Sequence, residues 1–256
     1  MYLTNKSGDD LLKIVLTSCF WDFNLVNGRE VPSLLIRRNG LSDAFRSVWT
    51  ENARVLIISS NPEDTEGNDF VCSLMKESFL MSGLSISRID ICDKRNPGVL
   101  DGLGDIDVLV FAGGHVPTQN RFMKKIGLRE RLSGYRGNVV ALSAGSMNCA
   151  DLVYAIPELG GEAIDPTYER WITGLGLTDV NIFPHYQYLK DVYLDGFCMS
   201  SGLAFVDSIG KEIIALNDGS YILIADGHTT VYGESYMIKD GLEKLLCSDG
   251  ESFVLH

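Results

Sequence analysis

The sequence predicts an α/β fold, a three-layer αβα sandwich around a mainly parallel sheet with a C-terminal antiparallel extension. Three observations predict it. Continuous apolar runs alternate with segments of helical periodicity through residues 54–150, the mark of a parallel sheet covered on both faces. One such run, Val139 to Leu142, stops at a serine set among small residues. Beyond residue 210 the punctuation changes to Asn217-Asp218-Gly219 and Asp226-Gly227, which is hairpin chemistry.

The elements follow in order. Residues 12–16 form a first strand and residues 54–59, Arg-Val-Leu-Ile-Ile-Ser, a second, with a turn at Asn61-Pro62-Glu63-Asp64. Residues 70–81 carry apolar side chains at helical spacing, and 86–91 alternate as a strand does. Residues 107–112 are a buried strand that ends in Gly113-Gly114, and 121–132 read as an amphipathic helix. The strand into Ser143 completes the parallel set. Short strands are then expected over 211–216, 220–225 and 229–232. Residues 20–40, with Asn27-Gly28 and Asn39-Gly40, read as an inserted loop or hairpin near the first strand, without an assignable role.

Composition narrows the class. The chain has 256 residues, 45% of them hydrophobic, enough for a substantial core in one catalytic domain spanning 1–256. A net charge of −12 and the lack of a basic stripe argue against nucleic acid, whose binding needs clustered Lys and Arg. No stretch has the length of a membrane span. The first ten residues are polar and acidic rather than those of a signal peptide. The six cysteines, at 19, 72, 92, 149, 198 and 247, are scattered with no CxxC pair, so reduced thiols and a cytoplasmic location are expected. No metal-ligand cluster is visible, and no cofactor is predicted. Whether copies of the chain form a homo-oligomer that buries the 20–40 segment stays open.

Ser143 is the most informative residue. In Asn138-Val-Val-Ala-Leu-Ser143-Ala-Gly-Ser-Met-Asn148 a strand, a sharp turn and a helix start succeed one another. That is the pattern of a nucleophile elbow, whose tight turn needs small residues two positions either side, here Ala141 and Gly145. A serine that simply N-caps a helix would read similarly. Gly113-Gly114 ends the neighbouring strand, which places pliant backbone beside Ser143, where an oxyanion would need donors.

A serine hydroxyl needs a base, and the base needs an acceptor that fixes its tautomer. Of four histidines, His256 is the last residue, His228 lies in a turn, and His115 follows the glycine pair, where contact with substrate is the more natural role. His185, after the apolar run and proline of Asn181-Ile-Phe-Pro-His185, is the best base. Its use predicts activity that rises with pH as the imidazole loses its proton. For the acid, Asp218, Asp191 and Asp195 are all candidates, and spacing does not choose among them.

In order along the chain, Val-Phe-Ala-Gly113-Gly114-His115, Ala141-Leu-Ser143-Ala144-Gly145, Pro184-His185 and Leu216-Asn-Asp218-Gly219 resemble the motifs of the dipeptidase E and cyanophycinase family of serine peptidases. The resemblance covers roughly residues 50–240 and implies a class I glutamine amidotransferase-like fold. It makes Ser143 the nucleophile, His185 the base and Asp218 the orienting acid, with main-chain N–H groups near Gly114 and Ala144 as the oxyanion hole. The departures lie at the third member, where dipeptidase E carries glutamate, at Leu142 in place of a tryptophan, and at His115-Val-Pro-Thr118-Gln119, where a polar pair is usual. These line the substrate pocket, so the chemistry transfers better than a preference for aspartyl residues.

The expected function is thus a serine-type dipeptidase or exopeptidase that hydrolyses a small peptide or amide through an acyl-enzyme. His115, Thr118, Gln119 and Arg170 are expected to contact substrate, and Arg121 and Lys190 are further cations for a terminal carboxylate. Glutamine amidotransfer is disfavoured, because the elbow holds serine and position 187 is Gln. The reading from another class is a catalytically inactive domain that binds a small ligand or a protein.

Overall fold

A computed structural model describes residues 12–22 and 24–255. The polar N-terminal decapeptide and His256 lie outside the described residues. The central sheet has eight strands in the order Ser252–Leu255, His228–Tyr232, Tyr221–Ala225, Ile14–Thr17, Asn138–Leu142, Val108–Phe111, Ala53–Ile58, Ile86–Cys92. From Ile14–Thr17 to Ile86–Cys92 every neighbour is parallel, and the three C-terminal strands add antiparallel to Ile14–Thr17.

Alternation along these strands divides the core into two layers. Ile14, Leu16, Leu56, Ile58, Leu109, Phe111 and Val139 face one side. Val15, Val55, Ile57, Val108, Val110 and Val140 face the other. Both sets are almost wholly buried, which is why the strands read as unbroken apolar runs. Helices cover each face, giving the three layers. Among the described residues no helix is long and apolar enough to cross a membrane.

The structure departs from the sequence reading in three places. First, the expected helix over 121–132 is two helices, Val116–Lys125 and Leu128–Leu132. Pro117 sits in the first turn, where its missing N–H costs nothing, and Gly127 at φ 61° breaks the run. Second, the helix after the second strand begins at Thr65, five residues early, because the Asp64 carboxylate accepts from the Gly67 N–H at 3.0 Å.

Third, Asn217-Asp218-Gly219 is not a hairpin turn. Glu212–Leu216 belongs to a separate four-stranded sheet, in the order Ile182–Phe183, Glu212–Leu216, Ser235–Lys239, Leu242–Cys247, while Tyr221–Ala225 belongs to the central sheet. The turn carries the chain from one sheet to the other. The C-terminal third therefore supplies two things, the antiparallel extension and a second small sheet whose Ile213, Ile214 and Ile238 join the same core layer as Leu16 and Phe111.

The dipeptides Asn27-Gly28 and Asp226-Gly227 do close hairpins, with Val26 opposite Arg29 and Ala225 opposite His228. Both residues of each turn have positive φ, the type I′ geometry that matches strand twist. A Cβ on Gly227 would meet nothing within 4 Å, so only its φ of 77° resists substitution. Gly227→Ala is expected to cost about 1 kcal/mol, read as a lower urea midpoint with an unchanged m-value.

Candidate active site

Parallel strand pairs, two in the central sheet and one in the small sheet, assemble the site by their register. In the central sheet Thr17 pairs with Leu142, and Phe111 with Ala141. The next residues, Ser18 and Ser143, emerge side by side, with Gly113-Gly114 beyond the adjacent strand. In the small sheet Phe183 pairs with Ala215, so His185 and Asp218 leave neighbouring strands at the same end.

These residues meet in one hydrogen-bonded chain. His185 Nε2 lies 3.0 Å from Ser143 Oγ, and His185 Nδ1 lies 2.8 Å from Asp218 Oδ1. The Ser18 hydroxyl donates to the same Asp218 oxygen at 2.6 Å and accepts the His185 backbone N–H at 2.7 Å. Gln187 Oε1 accepts the Asp218 backbone N–H at 3.0 Å, and the Arg38 guanidinium donates to the Asp218 carbonyl. Burial alone would raise the Asp218 carboxyl. The hydrogen bond and charge of His185, with Ser18 and Gln187, outweigh it and hold the group below its ordinary range.

Backbone conformation aims the two central side chains. Ser143 has φ 48°, ψ −114° and His185 φ 55°, ψ 30°, both sparsely populated for non-glycine residues. The Ser143 N–H donates to Thr17 O at 2.9 Å, which fixes the elbow to the first strand. Ala144 opens the Ala144–Asn148 helix, so its N–H has no intrahelical acceptor. Gly145 and Gly114 allow the close approach, since a Cβ at the first would collide with the Phe111 carbonyl and at the second with Ser60 Oγ.

The other sequence candidates fall in different places. Asp195 is taken up by the 160s loop, where it accepts the Gly161 and Ala163 N–H groups, and Asp191 is exposed. His115 bridges Thr118 Oγ1 at 2.8 Å and Glu162 Oε1 at 2.9 Å, so both ring nitrogens are engaged. Gln119 is fully buried beneath the glycine loop, with its amide donating to Ala112 O and accepting from Asn148. Arg170 pairs with Asp207 at 3.0 Å and Arg121 donates to Thr118. The Lys190 carbonyl accepts from Ser200 and Cys198. None of these lines the cavity at Ser143. Cys149 is buried, and burial raises its thiol, so it packs rather than reacts.

Three contributors escaped the sequence reading. Ser18 follows the first strand as Ser143 follows its own, and a parallel register between those strands is the signal that pairs them. Gln187 stands two residues past His185. Glu158 lies against the Val116 N–H, and burial with the nearby Glu162 charge pushes its carboxyl up to about 7, against the lowering effect of that N–H and of His185. No group of three or more His, Cys, Asp or Glu among the described residues is placed to hold a metal.

A serine at a strand-to-helix elbow, backed by an imidazole and a carboxylate, defines a serine-type hydrolase by class. The family comparison makes that particular: the model of peptidase family S51 matches residues 37–232, and the chain belongs to this family of serine peptidases. No curated protein matches. Among solved structures, a peptidase from an acI-B1 Actinobacterium is similar over 95% of this chain and 97% of its own, with TM-score 0.58 and 16% identity. A protein assigned as peptidase E from Listeria monocytogenes EGD-e covers 92% of this chain and 99% of its own, with TM-score 0.56 and 14% identity. At these identities the likeness is one of fold.

Two outcomes are expected. Gly145→Ala is expected to destabilise by about 1–3 kcal/mol through overpacking, measured by urea unfolding. Glu158 titrates at about 7 folded against 4.5 ordinarily, so stability is full below pH 4.5 and falls as pH rises through 7. Glu158→Gln is expected to remove that decline, seen by comparing unfolding midpoints at pH 5 and pH 8.

Proposed function

We propose that the chain is a serine exopeptidase acting on small unblocked peptides, with Ser143 as nucleophile, His185 as general base and Asp218 as the acid that orients it. The observation that carries this reading is the continuous hydrogen-bonded chain from Ser143 through His185 to Asp218 at the end of a cleft of about 340 Å³. A cleft of this size suits a small substrate.

In this reading His185 Nε2 takes the proton from Ser143 Oγ as the hydroxyl attacks the scissile carbonyl. Asp218 holds Nδ1–H and stabilises the imidazolium that forms. The N–H groups of Gly114 and Ala144 receive the oxyanion. His185 then hands its proton to the leaving amine, and water, activated by the same imidazole, releases the acyl group from Ser143. Ser18 shares the Asp218 oxygen with His185 and holds the His185 backbone, so it positions both. The whole chain works as one catalytic unit, because the acid and base come from one sheet and the nucleophile from the other.

The test is labelling by a fluorophosphonate together with amino-acid release from unblocked and N-blocked dipeptides. Ser143→Ala and His185→Ala are expected to abolish labelling and hydrolysis in folded protein. Asp218→Asn is expected to lower turnover by about 10³- to 10⁴-fold, and Ser18→Ala by about ten- to a hundredfold. Failure of folded wild-type protein to label or to cleave would return the chain to the reading of a binding domain.

A further inference from the structure

The cleft that opens at Ser143 is walled by apolar side chains from two quite different places in the sequence. One wall is the face of the Thr65–Met81 helix that carries Val71, Leu74 and Met75, spaced by three and four residues so that they share one side. The other is Trp21, from the inserted 20–40 segment. Leu142, next to the nucleophile, forms the inner end.

Trp21 is held firmly. Its ring packs edge-on against Phe20 at 4.4 Å between centroids, and Phe20 packs in turn on Phe45 at 5.1 Å. Its backbone bridges to Leu35. Its indole N–H donates at 3.1 Å to Oε1 of Glu30, on the second strand of the hairpin of Asn24–Val26 and Arg29–Val31. The hairpin thus supplies the carboxylate that seats the indole, which gives the inserted segment a role.

Charge completes the argument. Among the described residues lining this cleft Glu30 is the acidic one, and none is an arginine or a lysine. Arg170 and Arg121 are turned to Asp207 and Thr118. A carboxylate entering the cleft would lose water and meet the Glu30 carboxylate, with no arginine or lysine among the described lining residues to pair with it, a costly exchange. An aliphatic or aromatic group would gain from desolvation against Trp21, Val71, Leu74, Met75 and Leu142.

Resting on the serine-peptidase reading, we propose that this cleft receives the side chain of the residue whose carbonyl Ser143 attacks, and that it selects large apolar side chains over acidic ones. Substrates are therefore peptides, or amides, whose acyl residue resembles leucine or phenylalanine rather than aspartate.

Inactivation by diphenyl α-aminoalkylphosphonates tests this whatever the scissile bond. Each reagent forms a phosphorus–oxygen bond to Ser143 with loss of phenol, and each displays one amino-acid side chain. The leucine-like and phenylalanine-like reagents are expected to inactivate at least about tenfold faster than the alanine-like and aspartate-like ones. In Val71→Arg, which puts a cation on the wall, the leucine-to-aspartate ratio is expected to fall at least about tenfold. In Val71→Phe, which fills the cleft, the leucine-to-alanine ratio is expected to fall. Ratios within one variant do not depend on how much of it is folded.

A fastest reaction with the aspartate-like reagent would overturn the proposal, as would ratios left unmoved by both Val71 variants. Fluorophosphonate labelling of Ser143 without inactivation by any phosphonate would overturn the cleft assignment and leave the serine chemistry standing. No reaction of the folded wild type with either reagent class would overturn both.

Discussion

The 2.6 Å hydrogen bond from Ser18 to Asp218 joins the two sheets of this protein, and the site depends on it. Ser18 directly follows the first strand of the central sheet, and Asp218 sits in the turn by which the chain leaves the small sheet. The same hydroxyl receives the backbone N–H of His185. One serine therefore fixes the carboxylate and the histidine against the strand that neighbours Ser143. A charged acceptor makes such a bond stronger than a neutral one, and burial makes its loss more costly. Asp218 answers to both demands, since its partners keep it ionised despite its burial.

Holding Ser143 and His185 at positive φ costs about 1–3 kcal/mol for each residue. That strain is local, whereas the compensation is spread through the fold. The strands that lead into the site are buried on both faces, with Val140, Ala141 and Leu16 at 0% exposure, so they cannot shift to relax it. The Ser143 N–H is held by Thr17 O, and the Ser146 hydroxyl bonds the same carbonyl at 2.8 Å. The elbow is thus clamped at its first residue and again one turn into the helix. Gly145 permits that helix to lie against the Phe111 carbonyl, and any side chain there would lift it away.

Much of this was legible in the sequence because its causes are local. A strand buried on both faces is an apolar run, and Val139 to Leu142 could hardly be otherwise. The elbow shows itself through the small residues that the turn demands. Asn217-Asp218-Gly219 misleads for the same reason: its turn chemistry is identical whether the next strand returns to its neighbour or crosses to another sheet. Only the pairing of Glu212–Leu216 with Ile182–Phe183 decides that, and pairing between distant strands leaves no local mark. Ser18, Gln187 and the Trp21–Glu30 contact were hidden likewise, because each acts through a partner fixed by tertiary structure.

Register explains how so few residues can specify the site. Side chains alternate along a strand, so a slip of one residue reverses every face. In the central sheet the apolar alternation of Val15 and Leu16 against Val140 and Ala141 fixes the pairing of Thr17 with Leu142, and Ser18 then has no choice but to emerge beside Ser143. In the small sheet the buried pairs Ile182–Ile214 and Phe183–Ala215 do the same for His185 and Asp218. The core thereby sets the spacing of the reactive groups before any of them bonds to another. Their hydrogen bonds refine an arrangement that hydrophobic packing has already made, which is why polar residues at the ends of strands can be so short in sequence and still converge from four places in the chain.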